Sequence, residues 1–303
     1  MPKLLLLARK SDDYLHQLET ARLPELDIVT TPDLNIELVF GEPNLIRDTL
    51  PLLPRLKWVQ AMWAGVEPLL DPALRRDYIL TNARGVFGPL MSEYVFGYLL
   101  LHERKILQRY FSQQKKLWDK TVPGTLRGKT LGLLGVGSIG AHLASTAKHF
   151  GMTVHGFTRT SESCPDVDVY FHANVSDFAK NLDYLICVLP NTNATRHIID
   201  SSVLKSLPSH ALFINVGRGN AVDETALAES LASGQMSGAI LDVFQQEPLP
   251  PNHIFWRTPN LLITSHTAAP SFPKDISELF IENYKRYSRG EELKYRVDFE
   301  RGY

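Results

Sequence analysis

Three short stretches carry side chains suited to anion binding and proton transfer. They are Asn215-Val216-Gly217-Arg218-Gly219, Leu241-Asp242-Val243-Phe244-Gln245-Gln246-Glu247-Pro248 and Thr264-Ser265-His266-Thr267-Ala268-Ala269. The planar fork of an arginine can grip a carboxylate with two hydrogen bonds and polarise a neighbouring carbonyl. A histidine can pass a proton near neutral pH, and a carboxylate on its other ring nitrogen favours the imidazolium. Taken singly, each has a plainer reading. Arg218 could be a surface residue in a Gly-flanked turn, Glu247 a loop acid ahead of Pro248, and His266 a structural or solvated member of ten histidines. Each stretch, however, ends an apolar run of strand type (211–216, 238–243 and 261–264). Ligands of open α/β sheets bind beyond the carboxyl ends of strands, so the three groups can converge on one pocket.

A second constellation lies upstream. Gly135-Val136-Gly137-Ser138-Ile139-Gly140 follows the apolar run Thr130–Leu134, opens a helix to about Phe150, and is followed by a strand pattern at Thr153–Phe157. That context is what a dinucleotide fingerprint requires. Gly135 permits the tight turn, Gly137 lets the backbone approach a pyrophosphate at the N–H groups of the helix start, and Gly140 allows close helix–strand packing. A glycine-rich turn without a ligand is the competing reading. At the end of the second strand, Thr158 occupies the place where NAD enzymes usually carry Asp or Glu for the ribose 2′-hydroxyl. Arg159 offers a partner to a 2′-phosphate, and Thr160 and Ser161 can donate hydrogen bonds. The segment thus predicts NADP(H) in preference to NAD(H). In the alternative, Arg159 is merely solvated and Glu162 holds the ribose.

The elements that must position these groups can be read from hydrophobic periodicity. The first ninety residues alternate strand patterns (Leu4–Ala8, Leu26–Thr30, Ile36–Gly41, Leu56–Met62, Tyr78–Asn82) with helical ones (Asp12–Ala21, Asn44–Leu50), as in a small parallel α/β unit. From Lys129 a second α/β unit begins, with further strands at Tyr184–Leu189, Ala211–Val216, Gly238–Val243 and Leu261–Thr264. Between them, Ser92–Trp118 lacks Pro and reads as one helix of roughly 40 Å that links domains or packs on a partner. Two helices broken near His102–Lys105 are the alternative. The helix Ser271–Ser288 returns to the first unit.

The composition of 303 residues, 44% hydrophobic and 21% charged with a net charge of −1, gives no electrostatic support for a nucleic-acid or membrane-surface partner. The opening MPKLLLLARK is too short in its apolar run for a signal segment or membrane span and reads as a buried strand, so a cytoplasmic location is expected. Cys164 and Cys187, without a CxxC, argue against a disulfide framework and a thiolate metal site. No metal is called for.

The order Arg218, Glu247, His266 with these flanks, downstream of the fingerprint, resembles the D-isomer-specific 2-hydroxyacid dehydrogenase family over nearly the whole chain. Leu189-Pro190-Asn191-Thr192, Glu247-Pro248-Leu249-Pro250 and Val297-Asp298-Phe299-Glu300-Arg301-Gly302-Tyr303 bring it closer to the glyoxylate/hydroxypyruvate reductase A group. The resemblance implies a Rossmann-type doubly wound parallel sheet for the nucleotide domain, 98–271, and a smaller flavodoxin-like α/β substrate domain from both termini, 1–97 and 272–303. It also implies a homodimer, with the long helix region in the contact. By this resemblance Arg218 anchors the substrate, His266 donates the proton and Glu247 orients it. Ser138, Ile139, Val188, Leu189, Pro190 and Val216 lie along the cofactor, and Asp242 touches the nicotinamide carboxamide. Ala64, Gly65 and Val66 form a loop holding the substrate carboxylate. Trp63 and Glu67 depart from the small residue and the Asp expected there; Trp63 either narrows the pocket or packs. Trp118 reads as structural. The implied activity is reduction of small 2-keto acids, glyoxylate and hydroxypyruvate among them, to D-2-hydroxy acids. The alternatives are another member such as a phosphoglycerate dehydrogenase, which would often carry a C-terminal regulatory domain, or a corepressor-like NAD(P)H sensor on the same fold.

Overall fold

The computed structural model describes residues 1–159 and 162–302. It divides the chain into two compact units, Met1–Val86 with Ser271–Tyr303, and Phe87–Pro270. In the first unit, strands β1 (Lys3–Leu7), β2 (Asp27–Val29), β3 (Leu38–Gly41), β4 (Trp58–Ala61) and β5 (Ile79–Thr81) form a parallel sheet in the order β2-β1-β3-β4-β5. This is the doubly wound order of flavodoxin-like folds. Apolar side chains cover both faces of the sheet, which is why its strands read as continuous apolar runs. The returning helix Pro273–Ser288 seals one face, with Phe280 stacked on Phe40 and Trp58 at ring distances of 4.8 and 5.3 Å. Asn283 of that helix also donates to buried Gln60 Oε1 at 3.0 Å, so the helix is fixed by polar as well as apolar contacts.

The second unit holds seven parallel strands: β6 (Thr130–Leu134), β7 (Thr153–Phe157), β8 (Val169–Phe171), β9 (Tyr184–Cys187), β10 (Leu212–Asn215), β11 (Gly238–Leu241) and β12 (Leu261–Ile263). Their order, β12-β11-β10-β9-β6-β7-β8, is the Rossmann order extended by one strand. The last residues of the strands pair in a single row: Phe171 with Phe157, Phe157 with Leu134, Leu134 with Cys187, Cys187 with Asn215, Asn215 with Leu241, and Leu241 with Ile263. Every loop leaving this row therefore starts at one edge of the sheet.

Several sequence expectations are corrected here. The stretch Ser92–Trp118 is not one helix but two, Gly88–Glu103 and Ile106–Gln114. Lys105 takes a left-handed conformation at φ 54°, and the Arg104 and Lys105 N–H groups close back onto the Leu100 and His102 carbonyls. The boundary expected at residue 97 falls inside the first of these helices. Val95, Phe96 and Leu99 pack against Leu131, Leu133 and Leu143 of the second unit, which keeps the whole helix there and moves the division to 86/87. Strand β8 and the helices Val175–Ala179, Ser201–Ser206 and Glu224–Ala232 were not anticipated. Trp118, read as structural, is 87% exposed in the chain and makes no part of its core. Among the described residues, no helix is long and apolar enough to cross a membrane, and no group of three or more His, Cys, Asp or Glu is placed to hold a metal ion.

Candidate active site

The fingerprint lies where its spacing requires. Gly135 follows β6 in a left-handed conformation, φ 101°, and Gly137 caps the helix Ser138–His149. A Cβ at Gly140 would lie 2.2 Å from the Gly135 carbonyl oxygen, so the turn closes onto the helix only over a glycine. The exposed helix start at Gly137 and Ser138 offers N–H groups to an anion, so these residues fit a dinucleotide pyrophosphate. The loops after β9 and β10 meet beside it. A Cβ at Gly217 would come within 2.7 Å of the Leu189 backbone, and the Leu189 side chain in turn reaches Gly135. Val216 is buried and donates its N–H to Cys187 O at 3.1 Å, while Pro190 O accepts from Thr195 Oγ1 at 2.7 Å.

Thr158 follows β7. Its N–H bonds Phe171 O at 3.1 Å, and its carbonyl accepts from His172 Nδ1 at 2.8 Å. Arg159 is exposed beside it. Glu162, the alternative ribose ligand, pairs with His172 Nε2 at 2.5 Å. Thr160 and Ser161 lie outside the described residues.

Arg218, Glu247 and His266 come from the loops after β10, β11 and β12. Buried Asn215 fixes the first loop from inside: its Oδ1 accepts from Gly217 N–H at 3.1 Å and its amide donates to Arg218 O at 3.0 Å. The Arg218 guanidinium donates to Gly217 O at 2.8 Å. Glu247 Oε2 lies 2.7 Å from His266 Nδ1, and its Oε1 accepts from Phe244 N–H at 2.9 Å. The hydrogen bond from Glu247 raises the His266 pKa against desolvation, Glu247's field adds to the rise, and the Arg218 charge opposes it. Burial works against the Glu247 carboxylate. The His266 and Phe244 hydrogen bonds, with the charges of His266 and Arg218, outweigh it and hold its pKa below the usual value. The Arg218 charge is thus felt by both partners of the pair. An arginine beside an oriented, carboxylate-backed imidazole can bind a carboxylate and hand a proton to an oxygen.

The match to known proteins can be set on this geometry. The family described as D-isomer specific 2-hydroxyacid dehydrogenase, NAD binding domain, matches residues 96–268, which include the fingerprint and all three groups. The chain belongs to the D-isomer specific 2-hydroxyacid dehydrogenase family. A glyoxylate/hydroxypyruvate reductase A of Yersinia enterocolitica is 32% identical over 295 residues, 95% of this chain and 93% of the relative. A solved D-isomer specific 2-hydroxyacid dehydrogenase family protein of Aeromonas salmonicida superposes with a TM-score of 0.92 at 39% identity, covering 98% of this chain and 99% of that one. The NADPH-dependent glyoxylate/hydroxypyruvate reductase of Sinorhizobium meliloti, solved with NADP and sulfate, gives 0.89 at 27% identity with both chains fully covered.

Within this dehydrogenase, Asp242 does more than the resemblance gave it. It is 1% exposed, and its carboxylate accepts from Thr267 N–H and Ala268 N–H, both at 2.9 Å, and from the Thr264 hydroxyl. Its carbonyl takes the His266 N–H at 2.7 Å. Asp242 therefore shapes the loop in which His266 sits at φ 56°, a left-handed conformation that costs a non-glycine residue roughly 1–3 kcal/mol unless its surroundings hold it there. Tyr94 extends the chain, its hydroxyl 2.7 Å from Thr264 Oγ1. Sequence reasoning missed Tyr94, which no motif ties to His266. It quoted Asn215 and Thr264 without giving them a role, although a polar residue ending an apolar strand run was a usable signal. Ala64, Gly65 and Val66 belong to the first unit, in the loop after β4. There the Met62, Trp63 and Ala64 carbonyls accept from Ser271 Oγ at 3.3 Å, Ala83 N–H at 3.0 Å and Asn82 Nδ2 at 2.7 Å, which fixes the loop; Trp63 is half-buried.

Proposed function

We propose that this dehydrogenase reduces small 2-keto acids, with glyoxylate and hydroxypyruvate as the first candidates, to D-2-hydroxy acids, and that it prefers NADP(H) to NAD(H). The observation that carries this reading is the His266–Glu247 pair at 2.7 Å on the same sheet edge as Arg218 and the fingerprint. Arg218 grips the substrate carboxylate and polarises the keto oxygen. Because His266 Nδ1 is committed to Glu247, Nε2 is the atom that gives its proton to that oxygen. Glu247 favours the imidazolium before the transfer and holds the ring in one orientation through it. The nicotinamide supplies the hydride when bound. Gly135, Gly137, Ser138, Ile139 and Gly140 hold the pyrophosphate side, Leu189, Pro190 and Val216 line the way to the ring, and Thr158 and Arg159 meet the 2′-phosphate. Reductases of this name in Yersinia enterocolitica and Sinorhizobium meliloti support the substrate class, and the NADPH-dependent relative supports the cofactor. The location assigned is the cytoplasm, in keeping with two free cysteines.

A homodimer is part of the proposal. Ile106, Tyr110 and Phe111 on the helix Ile106–Gln114, with Leu117 and Trp118 after it, are 49–87% exposed, and such an apolar patch marks an interaction surface.

The test is an initial-rate panel of 2-keto acids with NADPH and NADH. Wild-type enzyme is expected to favour NADPH by roughly 10- to 100-fold, mostly in KM, and Arg159→Ala to erase most of that. A preference for NADH, or equal weakening of both cofactors by Arg159→Ala, would remove the cofactor assignment. Turnover of none of the keto acids would remove the function.

A further inference from the structure

Glu224 opens the helix Glu224–Ala232, behind the cap residue Asp223, and takes no part in the chemistry above. Its side chain is 15% exposed, and both oxygens are used. Oε1 accepts from the Gln245 N–H at 3.0 Å, and Oε2 lies 3.3 Å from His253 Nε2. The tautomer of His253 follows from its surroundings. Its Nδ1 accepts from the Phe255 N–H, so Nε2 carries the proton and donates it to Glu224. Gln245 is tied a second time to the same segment, its side-chain amide donating to Val222 O at 2.8 Å.

The peptide joining Phe244 to Gln245 is thus held from one side by a carboxylate. The same peptide also rests on Gly219, where a Cβ would lie 1.9 Å from Phe244 C and 2.4 Å from Gln245 N. Gly219 is the residue after Arg218. The Phe244 N–H, at the near end of this segment, donates to Glu247 Oε1, and Glu247 Oε2 holds His266. One stretch of backbone therefore touches the Arg218 loop and the Glu247 carboxylate together, and a shift in it displaces both.

We propose that Glu224, oriented by His253, is a positioning residue that fixes this backbone through the Gln245 N–H and so sets the Glu247–His266 pair against Arg218. The proposal rests on the catalytic assignment of these three residues given above. A carboxylate is needed rather than an amide. Glu224 receives two donors, and a glutamine would turn its NH2 against one of them, leaving a partly buried donor without an acceptor.

The experiment compares Glu224→Gln and His253→Ala with wild type and with His266→Ala, using the full chain. Three quantities are read: kcat and KM for hydroxypyruvate reduction with NADPH, the His266 imidazole titration by NMR in the unliganded protein, and Tm. Glu224→Gln is expected to lower kcat roughly 10- to 100-fold with the NADPH KM unchanged, as misplacement remote from the chemistry does. It should also move the His266 titration to lower pH, because Glu247 is less well placed. His253→Ala should shift kcat and the titration in the same directions, and it carries the test if Glu224→Gln does not fold. Wild-type kcat and an unmoved His266 titration overturn the positioning role, even where Tm falls, since a brace alone would lower only Tm. If His266→Ala is inactive in that case, the catalytic assignment stands without Glu224. If His266→Ala turns over like wild type, the assignment itself falls and the positioning role with it.

Discussion

The side chains that define the chemistry are few, and their protonation is set by each other. His266 titrates above its ordinary value because Glu247 holds it, and Glu247 below its own. Reduction uses the charged imidazole, so kcat is expected to hold at low pH and to decline as pH rises through the raised His266 pKa. In Glu247→Gln the raising partner is lost, and that decline should move to lower pH; a pH–rate profile of kcat checks it. His266→Ala should reduce turnover by roughly 10²–10⁴ and leave no such decline, with NADPH binding retained. A Glu247→Gln profile that coincides with wild type would separate Glu247 from the proton. The same shifts bear on stability. The His266 contribution is present below its unfolded pKa and lost as pH rises through the folded one, whereas that of Glu247 is lost as pH falls through its lowered pKa. At this scale Arg218, Glu247 and His266 were legible, because each stands within six residues of the end of an apolar run. The work of Asp242 was not. Its donors Thr267 and Ala268 come from another strand's loop, and Tyr94 reaches the same network from 170 residues away.

Elements place these side chains through backbone contacts that only glycine permits. Gly219→Ala would drive a Cβ to 1.9 Å from the Phe244 carbonyl carbon, an atom that cannot turn aside as a flexible side-chain tip does. Overpacking of this kind costs about 1–3 kcal/mol, and the displaced Arg218 loop should cost roughly 100-fold in kcat. Gly97→Ala is the control. Gly97 lies in the helix Gly88–Glu103 with nothing within 4 Å of a Cβ, so the substitution should raise Tm slightly and leave kcat alone. Equal, small effects at both positions would mean the loop tolerates movement. Most strands were legible because both faces are buried and their apolar runs are unbroken. Strand β8 was not: it is three residues long and Val169 is exposed. The break between Glu103 and Ile106 was legible only as the alternative near His102–Lys105, because the usual punctuation is missing. A left-handed residue at a helix junction is ordinarily glycine, and here it is Lys105.

For the whole molecule, the expected consequence is association. The apolar surface from Ile106 to Trp118 is uncovered within the chain, and it was legible only as a long apolar stretch, since burial against a partner and burial within a core leave the same sequence pattern. Sedimentation at micromolar concentration should give a dimer, and Tyr110→Asp with Phe111→Asp a folded monomer. A monomeric wild type would contradict this. The two-unit architecture was legible in outline, because two series of strand patterns flank the 92–118 stretch. The division between them was not, because the first half of that stretch packs on the second unit through Val95, Phe96 and Leu99.

The most direct measurement is the chirality and stoichiometry of the product of hydroxypyruvate reduction. Incubation with NADPH should yield D-glycerate, one molecule for each NADPH oxidised, and the His266→Ala enzyme should yield almost none. L-glycerate, a racemate, or NADPH bound without any glycerate formed would contradict the account.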